Sequence, residues 1–299
     1  MLKLSAILLL IVFWLAISMS ASVGLAMADS LPVVSTEDNA PPFVVSGVLM
    51  NSGSIALINH FVDYISLESG YKLQPVYVDT YAELSEIVAN TPGAIAWTCG
   101  APFVQDHLSD GQQLVSIPLF HNKPEYHSLV ITRIDRTEKA LVDFKGGILA
   151  YSDIRSNSGY VSPAISLFNQ GIDIQNHFRL TLRAGNHERS IQAVENRLAD
   201  VAAIDEYIWV EYSKNTPAIL KKIKVIEKSG PYPFTPIVAN KLVSAEVISA
   251  LQRVLTDLNT SIKGKKFLSE FGFDGFVNKE VEYFEPIKLM LDQLKRDMD

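Results

Sequence analysis

Residues 151–160, Tyr-Ser-Asp-Ile-Arg-Ser-Asn-Ser-Gly-Tyr, crowd small polar side chains into the junction between an expected strand (148–152) and an expected helix (158–170). A helix start leaves its first N–H groups unpaired and carries about half a positive charge. Ser156, Asn157, Ser158 and Gly159 therefore have the makings of a cradle for a small tetrahedral anion. Such residues also serve as ordinary helix N-caps, and both readings stand on the local sequence. His187 opens the next expected helix (187–196), where an imidazole can donate to a bound anion or simply cap the turn. Asp205 closes an expected strand (201–204), at the carboxyl end where open α/β sheets take ligands, and is equally placed to cap the helix that follows. Thr98 and Cys99 occupy the same kind of strand end in Ala96-Trp97-Thr98-Cys99-Gly100, and Tyr126 opens a strand from which a phenol can reach a cleft.

Other chemistries fit these residues less well. His187-Glu188 begins like a zinc helix, but position 191 is Ile, so the second imidazole one turn on is missing and no metal is expected. Cys99 as a nucleophile needs a neighbouring base that the sequence does not locate. Ser158 lacks the first glycine of a Gly-x-Ser-x-Gly elbow. An exported serine or cysteine hydrolase is thus a minor alternative, and neither an enzyme nor a cofactor is expected.

The elements needed to hold these residues follow from periodicity. Short apolar runs (43–50, 71–78, 94–99, 114–120, 126–134, 148–152, 179–183, 201–204, 221–226) alternate with segments of helical period (81–90, 158–170, 187–196, 244–259), the pattern of α/β units on mostly parallel sheets. Asn51-Ser52-Gly53-Ser54 opens another helix, and 265–271 and 285–297 read as helices near the end. Three prolines in 230–236 argue against regular structure there and mark a return crossing. The expected organisation is a first lobe over 29–131, a second over 132–230, and a return to the first over 231–299, with two hinge crossings and a cleft between the lobes.

Residues 1–28 read as a cleaved secretory signal: Lys3, an apolar run over 6–17, and Ala26-Met27-Ala28 as the cleavage site. No cysteine follows it to carry a lipid, so a soluble periplasmic protein is expected. The full chain has net charge −7, and loss of Lys3 leaves the remainder more acidic, which argues against a nucleic-acid partner. One cysteine permits no intrachain disulfide, so the fold must rest on its core. A monomer is expected.

The order of elements, with Tyr126-His127-Ser128, Asp143-Phe144-Lys145-Gly146, Ser156-Asn157-Ser158-Gly159-Tyr160, Asn186-His187-Glu188 and Ala199-Asp200-Val201-Ala202-Ala203, resembles the phosphate/phosphite/phosphonate-type substrate-binding proteins of ABC transporters. The resemblance covers most of 43–260. It implies a type 2 periplasmic-binding fold whose hinged cleft closes on a small anionic or zwitterionic solute for a membrane permease. A membrane sensor kinase or cyclase is the alternative partner. The family's Ser-Thr-Ser-Gly loop falls on Ser156, Asn157, Ser158 and Gly159, with Asn157 replacing Thr, and its Ser-His-Glu falls on Asn186, His187 and Glu188. Its post-strand polar residue falls on Asp205. Ala96 to Pro102 is longer than the family's Ala-Trp-x-Gly-Pro, so the first-lobe contacts are the least defined.

Overall fold

A computed structural model describes residues 40–49 and 54–296; the expected signal segment, 1–28, and the 51–53 turn lie outside the described residues. The chain begins with β1 (Pro42–Ser46), α1 (Ser54–Ser69), β2 (Gln74–Val78), α2 (Tyr81–Asn90), β3 (Ile95–Trp97), α3 (Gly100–Asp110) and β4 (Gln113–Leu119). It continues with β5 (Glu125–Arg133), β6 (Ile148–Tyr151), a π-type turn (Asn157–Val161), α4 (Ser162–Phe168), α5 (Ile174–His177), β7 (Leu180–Arg183), α6 (His187–Glu195), β8 (Val201–Asp205), α7 (Glu206–Asn215) and β9 (Ile223–Pro233). It closes with β10 (Ile237–Ala239), α8 (Ala245–Thr256), α9 (Ile262–Phe271), β11 (Gly275–Val277) and α10 (Glu285–Arg296).

Two sheets result. The first has the order β11-β4-β10-β3-β1-β2 and the second β7-β6-β8-β5-β9. Within each, the expected parallel block is present: β1 pairs in parallel with β2 and β3, and β6 with β7 and β8. The strands nearest the crossings run the other way, β10 antiparallel between β3 and β4, and β5 antiparallel between β8 and β9. Strands β1, β3, β8 and β10 are buried along their whole lengths, which explains their unbroken apolar runs, because helices cover both faces.

The chain leaves the first sheet earlier than the expected change at 131, because β5 makes all its ladder bonds to the second sheet. A tight turn at Phe120 to Lys123 makes the passage, with His121 and Asn122 at φ 53° and 60°. The return differs from expectation in another way. β9 runs through Gly230-Pro231-Tyr232-Pro233 and stays paired with β5 as far as Glu125↔Pro233. Proline is tolerated there because β9 is an edge strand with one side free, and the ladder shifts register between Tyr126 and Ser128.

Each lobe has its own core. Phe43, Phe61, Phe103, Ile117 and Phe234 centre the first. The second sheet is filled on one face by Ile131, Ile191, Val194 and Ile204, and on the other by Leu149, Phe144 and Leu167. Helix α10 touches both lobes: Ile287 and Leu291 enter the first core, while Gln293 bonds to Asn169 of the second lobe at 2.7 Å.

Candidate ligand-binding site

The carboxyl ends of β3, β6 and β8 and the start of β5 bring the expected site residues together. Ser156, Asn157, Ser158 and Tyr126 are fully buried, and so, within about two percent, are Thr98, Cys99, His187 and Asp205. The two lobes meet here, since the N–H of Asn157 in the second lobe donates to Cys99 Sγ in the first at 3.4 Å.

The second-lobe arm begins as a π-type turn. Ser156 O accepts from the N–H groups of both Tyr160 and Val161 at 3.0 Å, which widens the first turn before α4. Most main-chain N–H groups of the cradle are not open to a guest, contrary to the reading of free amides at a helix start. That of Ser156 donates to Asp153 O at 3.0 Å, that of Gly159 to Ser156 Oγ at 3.1 Å, and that of Asn157 to sulfur. Ser156 is thus a cap, as the plainer reading had it. The amide–sulfur bond is the weak one, because a thiol is a poor acceptor and a charged oxygen would displace it.

What the cradle leaves open is carried on side chains. Ser158 Oγ, Asn157 Oδ1, Thr98 Oγ1 and Tyr81 OH are buried and have no hydrogen-bond partner among the described residues. Asn157 spends Nδ2 on Tyr126 OH at 3.0 Å, and Ser128 Oγ donates to Ser158 O at 2.7 Å to hold the turn against β5. Tyr81 and Tyr126 lie close enough to Cys99 and Asp205 that each charge acts on the others; burial, first, and these neighbours hold both phenols far above the ordinary range. Both hydroxyls therefore stay protonated. Tyr81 was legible in sequence only as the start of a helix; its position at the carboxyl end of β2 was the available signal.

His187 does not stand free as an anion donor. Asp205 N–H donates to its Nδ1 at 3.2 Å, so Nε2 bears the hydrogen and donates to Ser152 Oγ at 3.3 Å. Burial pushes its pKa down to about 3, so the ring is neutral. Ser152 Oγ in turn defines the cradle, because a Cβ on Gly159 would lie 2.4 Å from it. Asp205 caps α7, accepting from Tyr207 N–H at 2.8 Å, yet burial pushes its carboxyl up to about 7. Near neutral pH it can serve as an acceptor or, protonated, as a donor. Burial raises the Cys99 thiol, and Ser158 Oγ has no base beside it, so neither is an activated nucleophile. Among the described residues no group of three or more metal-ligating side chains converges.

Against known proteins, residues 52–283 match the family model of the ABC transporter, phosphonate, periplasmic substrate-binding protein. The phosphonates-binding periplasmic protein of Escherichia coli K12 is 26% identical over 218 residues, 72% of this chain and 60% of that curated relative's length. The crystal structure of a binding protein component of an ABC phosphonate transporter from Pseudomonas aeruginosa superposes with a TM-score of 0.77 at 21% identity, covering 86% of this chain and 88% of the other. PhnD1 from Prochlorococcus marinus, in complex with methylphosphonate, gives 0.74 at 16% identity, covering 86% and 99%. The superpositions show the two-lobed periplasmic-binding fold that the sequence led us to expect.

Proposed function

This chain belongs to the periplasmic phosphonate substrate-binding family of ABC transporters, whose members are solute-binding proteins and not enzymes, and from that membership we propose that it captures a small organophosphonate between its lobes for uptake by a membrane permease. The family places it in the periplasm; export by cleavage after Ala28 is part of the proposal, and the mass of the protein released from the periplasm tests it.

The observation that carries the ligand class is the set of four buried polar atoms, drawn from both lobes, that have no partner among the described residues: Tyr81 OH and Thr98 Oγ1 from the first, Asn157 Oδ1 and Ser158 Oγ from the second. Leaving such groups unsatisfied costs about 1–3 kcal/mol each, so a guest with several oxygens arranged around one atom repays the arrangement. A tetrahedral phosphorus oxyanion has that shape. Closure follows from differential affinity, since a guest held by the second lobe alone gains the first-lobe hydroxyls only when the lobes meet.

Asp205 adds a discrimination. Ionised, its buried carboxylate suits a ligand that brings an ammonium group; protonated, it donates to a third phosphonate oxygen. Calorimetric titration with methylphosphonate, 2-aminoethylphosphonate, phosphite, phosphate and sulfate decides the class. A phosphonate is expected to bind at micromolar concentration or below, and sulfate, which brings no hydrogen, weakly. Absence of heat and of thermal stabilisation with every phosphorus anion would end the proposal.

A further inference from the structure

Arg155 stands immediately before the cradle and belongs to the second lobe, yet its side-chain bonds run to the first. Nε donates to Gln105 Oε1 at 3.0 Å, Nη1 to Ser85 Oγ at 2.6 Å, and Nη2 to Asp106 Oδ1 at 2.5 Å. The same guanidinium reaches the carbonyls of Tyr81 and Pro102 at 3.5 Å. Its receptor is built by α2, α3 and the connection after α3 without it: Ser85 Oγ donates to Asp106 Oδ2 at 2.5 Å and Gln112 Nε2 donates to the same oxygen at 3.3 Å. Asp106 is buried, and the cation that pairs with it among the described residues comes from the opposite lobe.

The guanidinium and the cradle form one rigid piece. Arg155 N–H donates to Asp153 Oδ1 at 2.8 Å, and Ser156 N–H to Asp153 O at 3.0 Å, so the loop cannot shift at one residue without shifting at the next. Seating Arg155 in the Asp106 socket therefore brings Asn157 to Cys99.

We infer that Arg155 is a positioning residue for ligand capture, an ion-pair latch that holds the two lobes closed over the cradle and sets how long a ligand stays. The inference rests on the proposed capture of a phosphonate for its consequence in residence time, but not for the latch itself. A charge-assisted, largely buried contact acts chiefly on dissociation, since it forms after the lobes have met.

Two measurements test it. In ligand-free protein, pulsed electron-spin distances between labels at Leu67→Cys and Leu198→Cys, both exposed and on opposite lobes, report closure directly. Arg155→Ala is expected to shift the distribution to longer distances, and Arg155→Lys to restore part of the wild-type distribution, because the charge remains while the forked geometry is lost. In stopped-flow displacement of methylphosphonate, with 2-aminoethylphosphonate as the second probe, Arg155→Ala is expected to release ligand at least about tenfold faster and to associate no more slowly than wild type, since the ligand-free lobes are then open to entry. Asp106→Asn should act in the same direction. A distance distribution unchanged by Arg155→Ala overturns the latch whether or not either phosphonate binds, and an unchanged dissociation rate overturns it where one does. Failure of the wild type to bind, with the distances shifted, overturns the ligand and leaves the latch standing.

Discussion

The two halves of the site are built on opposite plans. In the second lobe a web of bonds fixes the arm, Ser128 to Ser158, Ser156 to Gly159, Asp205 to His187, and His187 to Ser152, and leaves Asn157 Oδ1 and Ser158 Oγ as the arm's atoms without a partner among the described residues. In the first lobe Tyr81 and Thr98 bury hydroxyls that have no partner among the described residues, and Tyr81 and Cys99 pack with Val48 as a small apolar cluster. A pre-bonded arm is stiff and keeps its shape without a guest. An arm of unpaired hydroxyls contributes only when a partner reaches them. The difference assigns shape to the second lobe and selectivity on closure to the first.

Substitutions separate these roles, and the largest effect is expected where the stiff arm is tightest. In Gly159→Val the new Cβ meets Ser152 Oγ at 2.4 Å and Ser156 Oγ at 3.1 Å. Overpacking of this kind costs about 1–3 kcal/mol of stability, and methylphosphonate affinity should fall beyond detection by calorimetry. His187→Ala comes next. It strips partners from the Asp205 N–H and from Ser152 Oγ, at about 1–3 kcal/mol, read as a lower midpoint in urea. Wild-type stability in that variant would show that the second-lobe web is not what holds the arm.

The first-lobe substitutions should show the reverse pattern. Tyr81→Phe and Thr98→Val remove buried hydroxyls that bond to nothing among the described residues, so the stability of the ligand-free protein should hold or rise, by up to about 1–3 kcal/mol. Affinity for methylphosphonate should fall by roughly ten- to 150-fold in each, the value of one net hydrogen bond to a charged group. A stability loss without an affinity loss would exchange the roles of the two lobes.

How much of this was legible in sequence follows the same division. The cradle could be read because Ser156 to Gly159 are contiguous and sit after an apolar run, and the α/β alternation located β6, β8 and the helices that follow them. The satisfaction of its amides could not, because Asp153 O and Cys99 Sγ reach them only through the loop and across the cleft. Tyr81 was invisible as a site residue, since burial in three dimensions is what orphans its hydroxyl. Arg155 lies within the polar decapeptide 151–160, but its partner is 49 residues away, and nothing local distinguishes Asp106 from other helical carboxylates. The prolines of β9 misled for a related reason: whether a strand tolerates them depends on being at the sheet edge, a property of the assembled sheet.

In the wild type the smallest effect is expected in pH, which is also the sharpest test of the division. The two groups of the site that titrate between acid and neutral pH, Asp205 and His187, both belong to the second lobe. Asp205 is raised from 3.8 to about 7, so the folded chain holds that proton more tightly than the unfolded one. Its stabilising contribution is complete below pH 3.8 and is lost as pH rises through about 7. His187 is lowered from 6.5 to about 3, so its contribution is present above pH 6.5 and is lost as pH falls through about 3. Across the shared window the two slopes oppose each other, each near one proton, or about 1.4 kcal/mol per pH unit. Ligand-free wild type should therefore change little between pH 4 and 6.5 on account of this pair, and decline toward pH 7 as Asp205 alone ionises. Asp205→Asn should unmask a stability that rises with pH over that window, and His187→Gln one that falls. Tyr81→Phe and Thr98→Val should leave the profile unchanged, because the first-lobe hydroxyls stay protonated throughout. Urea midpoints measured at half-unit pH steps read the slopes directly, and a profile altered by the first-lobe variants, or indifferent to both second-lobe ones, would place the titrating groups elsewhere and break the comparison.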